Sequence, residues 1–122
     1  MTIEIHEDGE NRIAELRADN LLISGVEDGL QLLVDLYYQD FGKIILHEEN
    51  ITPAFFDLKT GLAGEILQKF SNFRVQLVIV GEFTNYQSKS IRDFIFESNK
   101  GRLINFLPNI EVAKRKLFTH PS

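Results

Sequence analysis

The side chains with the widest chemical scope follow two strand-like segments, 43–47 and 74–80, or a phenylalanine pair between them. These candidates are His47, Glu48, Asp57, Lys59, Thr60, Glu82, Tyr86, Ser88 and Lys89. Their imidazole, carboxylate, hydroxyl and ammonium groups suit acid–base catalysis, anion binding or contact with a partner. We interpret them as residues that bind a ligand or a partner, and we assign no catalytic residue and no metal ligand.

Complete catalytic motifs are absent around these residues. His47 and Glu48 begin like a zinc protease signature, but Ile51 occupies the position of its second histidine. His47 and Ser88 can form a nucleophilic triad only with a third group, and the sequence has no G-x-S-x-G elbow. The alternative to binding is therefore a small hydrolase or transferase that uses His47 with Glu48 or Glu82. The simpler interpretation is that His47 hydrogen-bonds locally and Ser88 caps a helix.

Phosphate binding has only weak support. Lys59, Thr60 and Gly61 contain the residue types of a phosphate-binding loop in the wrong order, with no glycine-rich segment before them. Helix amides near Thr60 and Ser88 can still hold an anion, aided by Lys59 and Lys89. Asp57 and Glu82 place negative charge beside both positions, so we favour capping roles for the two hydroxyls.

Two further sets of side chains have both a structural and a functional interpretation. Carboxylates after the strands suit a hard cation or an acid–base pair, although a solvated acidic rim is more common. They are Glu48, Glu49, Asp57 and Glu82. Four aromatic residues suit a pocket or a contact surface, although a core position is more common. They are Phe55, Phe56, Phe83 and Phe96. No cofactor is expected.

Composition predicts one domain over residues 1–122. The chain is 43% hydrophobic and contains no cysteine, which excludes disulfides, thiolate catalysis and cysteine-based metal sites. The formal charge of −5 opposes attraction to phosphate backbones, so no nucleic-acid partner is expected. No apolar run reaches the roughly 20 residues of a membrane span and the N-terminus resembles no secretory signal. We expect a cytoplasmic protein that does not bind membranes.

The elements before residue 43 are predicted from alternation and from capping residues. Ile3, Ile5, Ile13 and Leu16 mark a hairpin that turns at Asp8 and Gly9, and 21–23 forms a brief third strand. The next helix starts near Gly25, with Ser24 and Glu27 in capping-box spacing. Its apolar stripe includes Tyr37, and Gly42 supplies a left-handed stop. Leu32 and Leu36 fall outside the stripe and pack either within the chain, which we favour, or in a homodimer.

The remaining chain alternates strands and helices. Segments 43–47 and 74–80 are continuous apolar runs typical of central strands, and Thr52 followed by Pro53 starts a short helical turn. Thr60 and then Ser88 or Ser90 cap the next two helices, and Gly61 and Gly64 permit a close backbone approach. A strand near 103–106 and a helix over 109–117 follow. The fold class is therefore α/β, with a mixed, mostly parallel sheet, an N-terminal antiparallel hairpin and about four helices.

Parallel central strands decide where a site lies. Ligands bind outside the carboxyl ends of such strands, because the loops and helix N-termini converge there. The loops after 43–47 and 74–80 are therefore predicted to share one face of the molecule. If 57–61 folds back over that face, all nine candidates become neighbours.

The longest segments of the chain resemble a known family. The run ILHEENITPAFFDLKTGLAGEILQKFSNFRVQLVIVGEF, continued by YQSKSIRDFIFESNKG and INF, resembles the bacterial domain-of-unknown-function family 4180 over nearly the whole chain. The resemblance implies a small bacterial cytoplasmic protein with no assigned reaction.

A second resemblance concerns architecture. The element order, with an F-F-D-x-x-T-G-L segment opening the middle helix, is similar to the sulfate transporter and anti-sigma factor antagonist (STAS) domain. That family holds a phosphorylatable serine at this helix start. Here Leu58 follows Asp57 directly and Thr60 is the nearest hydroxyl, so phosphorylation of Thr60 or Ser88 is not assigned. The resemblance implies a non-catalytic regulatory module that binds a protein partner or a small ligand, and not an enzyme.

Overall fold

A five-stranded sheet in the order β1-β2-β3-β4-β5 forms the centre of the protein, in a computed structural model that describes residues 1–118. The strands are β1 (Thr2–Asp8), β2 (Asn11–Arg17), β3 (Lys43–His47), β4 (Gln76–Val80) and β5 (Ile104–Leu107). β1 and β2 pair antiparallel, whereas the remaining neighbours pair parallel. The predicted α/β class, with its N-terminal hairpin and mostly parallel sheet, is confirmed.

Four helices cover the sheet unequally. They are α1 (Val26–Tyr38), α2 (Leu62–Asn72), α3 (Lys89–Ser98) and α4 (Ile110–Phe118). The larger core joins α1, α2 and α3 to one face of the sheet, which includes Ile44. The smaller core joins α4 to the other face, which includes Ile45. Successive strand residues point to opposite faces, so each central strand contributes to both cores.

The two central strands lie side by side as predicted. β3 pairs with β4 in parallel register from Lys43 with Gln76 to His47 with Val80. β4 begins later than the predicted residue 74, because Arg74 has a φ of 57° and turns the chain into the strand. The carboxyl ends of both strands therefore open at the same edge of the sheet.

Short 3₁₀ turns connect the strands to the helices at this edge. They span Glu48–Asn50, Pro53–Phe56, Leu58–Thr60 and Phe83–Asn85. Thr52 caps the second turn as predicted, since its hydroxyl accepts a hydrogen bond of 3.4 Å from the Ala54 amide. Gly61, with a φ of 75°, ends the third turn and precedes α2. The side chain of a residue other than glycine is strained at this backbone angle.

The predicted start of α1 near Gly25 is confirmed, but its predicted capping box and its predicted stop residue are wrong. Gly25 occupies the N-cap position without a side-chain bond, and the Ser24 amide donates 2.9 Å to Asp28 instead of forming a capping box with Glu27. The left-handed residue after the helix is Asp40, with a φ of 67°, and not Gly42. An aspartate tolerates this conformation better than most side chains do.

Two predictions near the N-terminus also change. Residues 21–23 form no strand, and a single bridge joins Ile23 to Ile51. The hairpin pairs Asp8 with Asn11, so Gly9 and Glu10 form its loop. Gly9, with a φ of 63°, takes the first loop position, where two-residue hairpins favour a positive φ.

The apolar residues of α1 pack within the chain. Leu36 is 2% exposed in the larger core and Leu32 packs partly buried against it. The expectation that both residues pack within the chain is confirmed. Tyr37, assigned by its spacing to the buried stripe, is instead 46% exposed. Within residues 1–118, no helix combines the length and the apolar character that a membrane crossing needs.

Candidate functional site

One carboxylate links the loops that leave β3 and β4. Glu48 Oε1 accepts a hydrogen bond of 3.1 Å from the Glu82 amide, and Glu48 Oε2 accepts one from the Tyr86 hydroxyl. Gly81 makes the approach possible, because a Cβ at that position would lie 2.3 Å from Glu48 Oε1. Three of the predicted residues, Glu48, Glu82 and Tyr86, therefore lie together at the carboxyl edge of the sheet.

The bond between Tyr86 and Glu48 fixes the protonation state of the tyrosine. Burial raises the pKa of Tyr86, and the hydrogen bond and negative charge of Glu48 raise it further. The hydroxyl therefore stays protonated at neutral pH and acts as a donor. This pair holds the two loops together and supplies no nucleophile.

Aromatic rings connect the loop after β3 to the loop after β4. The Phe56 ring centroid lies 5.3 Å from that of Tyr86 and 6.1 Å from that of Phe83. Phe83 in turn meets Phe106 of β5 edge to face at 5.4 Å. Phe56 is buried, so this member of the predicted aromatic set belongs to the core, as does Phe55.

The loop between β4 and α3, residues 81–88, is called the Glu82 loop. A pocket of about 420 Å³ opens between this loop and α3. Its lining residues are Gly81, Glu82, Phe83, Thr84, Arg92, Ile95, Phe96, Asn99, Phe106 and Pro108. Most of this surface is apolar, and Phe96 remains 64% exposed. No carboxylate within residues 1–118 forms an ion pair with Arg92. The pocket therefore combines apolar walls with a guanidinium that is available to a ligand.

The predicted residues 57–60 are bound within their own loop. Asp57 Oδ1 accepts 3.2 Å from the Lys59 amide. The Thr60 hydroxyl lies 2.8 Å from the Ala54 carbonyl and 2.9 Å from that of Asp57, and it accepts 3.2 Å from the Leu62 amide. Thr60 thus caps the start of α2 from one residue further out than predicted, since Gly61 takes the N-cap position. This loop lies next to the loop after β4, because Phe56 contacts Phe83 and Tyr86.

Ser88 and Lys89 lie at the start of α3. Ser88 occupies the N-cap position, but its side chain makes no capping bond, so the expected hydroxyl cap is wrong. The Lys89 ammonium forms an ion pair of 2.7 Å with Asp93 one turn later on the exposed face of the helix. Both residues are exposed and neither lines the pocket.

Among the described residues, His47 pairs with Glu15 and not with the carboxylates proposed to assist it. Its Nε2 lies 2.8 Å from Glu15 Oε2. His47 aligns with Ile45, on the face that α4 covers, because the two are two residues apart on β3. Glu48 instead bonds to Glu82 and Tyr86. The geometry therefore does not assemble the histidine and carboxylate pair of the hydrolase alternative.

Several residues of interest were not found from the sequence. Arg92 lines the pocket, but helical spacing alone places it on an exposed surface, whereas Phe83 and Phe96 of the predicted aromatic set do line the pocket. Glu15 is fully buried, although a charged residue in a short amphipathic strand reads as solvent-facing. Asn50 is also buried, and its amide donates 2.9 Å to the carbonyls of Ala18 and Asn20. Asn50 is buried because its amide donates to two backbone carbonyls of the loop after β2.

Comparisons with known proteins give a family and one structural neighbour. A solved structure of a candidate anti-sigma factor antagonist from Thermotoga maritima covers 96% of this chain and 95% of its own, at 12% identity and a TM-score of 0.49. At this low similarity, the function of the neighbour is not transferred to this chain. No curated protein matches the chain significantly. Residues 8–117 match the family described as domain of unknown function (DUF4180), and the chain belongs to this family.

Proposed function

We propose that the protein is a non-catalytic regulatory module that binds a small organic anion with an apolar body in the pocket between the Glu82 loop and α3. The observation that supports this proposal is the pairing of apolar walls with the Arg92 guanidinium. Its volume of about 420 Å³ suits a small molecule, since ligand pockets commonly measure ~300–1,000 Å³. A carboxylate on the ligand gains a charge-assisted hydrogen bond from Arg92.

A non-catalytic role is supported by the occupied state of the polar groups at this edge. Glu48 already accepts two hydrogen bonds and Tyr86 already donates one. His47 bonds to Glu15 on a different face of the sheet. A hydrolase or transferase would need His47 beside Glu48 or Glu82, so the binding role is favoured over that alternative.

A regulatory role requires that the ligand changes an exposed surface. Phe83 lines the pocket and contacts Phe56, whose neighbour Asp57 begins the exposed 57–61 loop. A ligand that displaces the Phe83 ring therefore bears on a loop that a partner protein can contact. We also propose, from the family resemblance, that the protein is bacterial and acts in the cytoplasm.

Titration with octanoate, followed by amide chemical shifts in NMR spectra, tests the pocket. We expect octanoate to shift signals of the pocket residues, with octanol binding more weakly because it lacks the charge. Arg92→Gln should weaken octanoate binding about tenfold or more, since a hydrogen bond to a charged group contributes about 1.5–3 kcal/mol. Binding of octanol should change little.

Lys69→Gln is the matched control, because Lys69 is exposed on α2 and lies outside the pocket lining. This variant should bind octanoate like the unaltered protein. Equal weakening by both variants would reduce the effect to net charge and contradict a specific role for Arg92. Absence of shifts in the pocket, together with turnover in an enzyme screen, would overturn the proposed function.

A further inference from the structure

A buried carboxylate lies on the sheet face opposite the larger core, on β2, which is two strands away from β4 in the sheet. Glu15 of β2 has no exposed surface, and two histidines approach its separate oxygens. His6 Nε2 lies 2.8 Å from Oε1, and His47 Nε2 lies 2.8 Å from Oε2. These residues align with Ile13 and Ile45 of the smaller core, on the face that only α4 covers among the described helices.

A second carboxylate stands directly across from the first. The hairpin register pairs Glu4 of β1 with Glu15 of β2. Like charges in directly opposed cross-strand positions destabilise an antiparallel pair. Burial of Glu15 increases the penalty, because an unpaired charge is poorly tolerated away from water. The two carboxylates therefore require positive charge between or beside them.

The Arg17 guanidinium supplies positive charge here, and the His6 ring nitrogen lies near both carboxylates. The Arg17 guanidinium lies 2.9 Å from Glu15 and 3.5 Å from Glu4, and His6 Nε2 lies 3.4 Å from Glu4. Burial acts to raise the pKa of Glu15, but bonds from His6 and His47 and the charge of Arg17 together hold it below its ordinary value. The buried Glu15 carboxylate therefore faces a guanidinium and two imidazole nitrogens.

We propose that Glu4, His6 and Glu15 bind a first-row divalent transition-metal ion, with His47 orienting the Glu15 carboxylate from its other oxygen. One ligand atom from each of these three residues lies within 4.8 Å of the others. A tetrahedral zinc ion with bonds of about 2.0–2.1 Å separates its ligand atoms by about 3.3 Å, so small side-chain shifts suffice. Imidazole and carboxylate donors suit zinc and its neighbours in the row.

On Glu15, the Arg17 guanidinium contacts Oε2, the oxygen that His47 also contacts. Arg17 competes with a metal ion for the Glu4 carboxylate. Its side chain is 54% exposed, whereas Glu15 is completely buried. The guanidinium can therefore move into solvent while the carboxylate stays, and a divalent ion then replaces the single charge of arginine. Glu4 is 50% exposed, so an ion can reach the site from the solvent side of the hairpin.

Calorimetric titration of the chelator-treated full chain with zinc chloride tests the site. We expect one zinc ion per chain, and at least tenfold weaker binding in Glu4→Gln and His6→Asn. Arg17→Gln should bind zinc more tightly, by about tenfold, because it removes the competing charge. In NMR spectra, His6 Nε2 should show the nitrogen shift of a metal ligand.

Two controls separate this site from zinc captured elsewhere. Glu7→Gln changes a carboxylate of β1 whose side chain lies on the opposite face from Glu4 and His6. His120→Asn changes the third histidine, which lies outside the described residues. Neither control should alter the affinity. Circular dichroism establishes that each variant is folded.

The outcome for Arg17→Gln distinguishes a metal site from a structural ion-pair network. Tighter zinc binding by this variant supports the site. The proposal is overturned if the unaltered protein does not bind zinc. It is also overturned if Arg17→Gln leaves the zinc affinity unchanged or weakens it. These results do not depend on octanoate binding, because the pocket residues and the proposed ligands belong to separate side-chain sets.

Discussion

At the scale of single residues, Glu48 and Gly81 explain why the two loops at the carboxyl edge lie together. The Glu48 carboxylate receives the Glu82 amide and the Tyr86 hydroxyl from the neighbouring loop. Gly81 leaves the space into which this side chain fits, since an added Cβ would also lie 2.6 Å from Glu48 Cβ. Sequence inspection marks Glu48 as polar but gives no sign that its partner across the sheet must be glycine.

Gly81→Ala should therefore destabilise the protein. The added methyl group overlaps Glu48 and displaces it from its two donors, and overpacking of this kind costs about 1–3 kcal/mol. Urea denaturation measures the loss. In a double-mutant cycle with Glu48→Gly, which removes both overlapping atoms, the second substitution should recover part of the loss. Additive effects of the two substitutions would contradict this explanation.

At the scale of secondary-structure elements, close packing of α1 on α2 depends on one glycine and not on another. A Cβ on Gly29 of α1 would lie 3.0 Å from three side-chain atoms of Ile66 on α2. Gly64 of α2 has no neighbour within 4 Å of such a Cβ, so the expected close approach there is wrong. The two positions provide a matched pair of helix glycines, with Gly29 inside the helix interface and Gly64 exposed.

Alanine at these positions should have opposite effects on stability. Gly64→Ala should stabilise the fold by about 0.5 kcal/mol, because alanine loses less backbone entropy in a helix. Gly29→Ala should destabilise it by about 1 kcal/mol, because crowding against Ile66 outweighs the same helical gain. Thermal unfolding compares both variants with the unaltered protein.

Ile66→Ala provides the control for Gly29→Ala. This change removes the three crowded side-chain atoms, so the two substitutions together should destabilise less than the sum of their separate effects. A stabilising Gly29→Ala would show that Ile66 moves at no cost and would contradict the packing argument.

At the scale of the whole molecule, the two faces of the sheet differ in cover and in chemistry. α1, α2 and α3 seal one face with a large apolar core, whereas α4 alone, among the described helices, covers the other. The part of that face formed by β1, β2 and the end of β3 holds the cluster of His6, Glu15 and His47. Ion pairs and hydrogen bonds therefore stabilise this part of the face, whereas apolar packing stabilises the part that α4 covers.

This arrangement predicts a loss of stability in acid. The pKa of Glu15 in the folded state lies below its ordinary value of 4.5, so the unfolded chain binds a proton first as the pH falls. The stabilisation by Glu15 is therefore present above about pH 4.5 and is lost as the pH falls through the lower folded-state pKa. Metal-free protein is required for this measurement.

Glu15→Gln isolates the contribution of this carboxylate. The variant should be less stable at neutral pH, by about 1–3 kcal/mol, and its melting temperature should fall less steeply between pH 5 and 3, as roughly expected for a lost carboxyl titration. Glu10→Gln, at the exposed hairpin loop, should keep the acid dependence of the unaltered protein. Parallel acid profiles for the unaltered protein and Glu15→Gln would contradict the assignment.

The sequence alone determined the order and type of the main elements. Apolar runs at 43–47 and 74–80, helical stripes and the Thr52–Pro53 start are patterns of neighbouring residues, and such patterns reflect local backbone preferences. The parallel pairing of β3 and β4 followed from the crossover between them, so the edge that holds Glu48 and Glu82 was predictable. Membership of the DUF4180 family was also visible in the long central segments.

The tertiary structure decided which candidate side chains meet. His47 and Glu48 are neighbours in sequence, yet one bonds to Glu15 and the other to Tyr86. The reason is that strand residues alternate between faces and the chain leaves the strand between these two positions, so adjacent residues reach different surfaces. The Glu4 and Glu15 pair likewise depends on hairpin register, which a loop shift of one residue changes. Distances between elements are set by packing of the whole chain, and no local pattern encodes them.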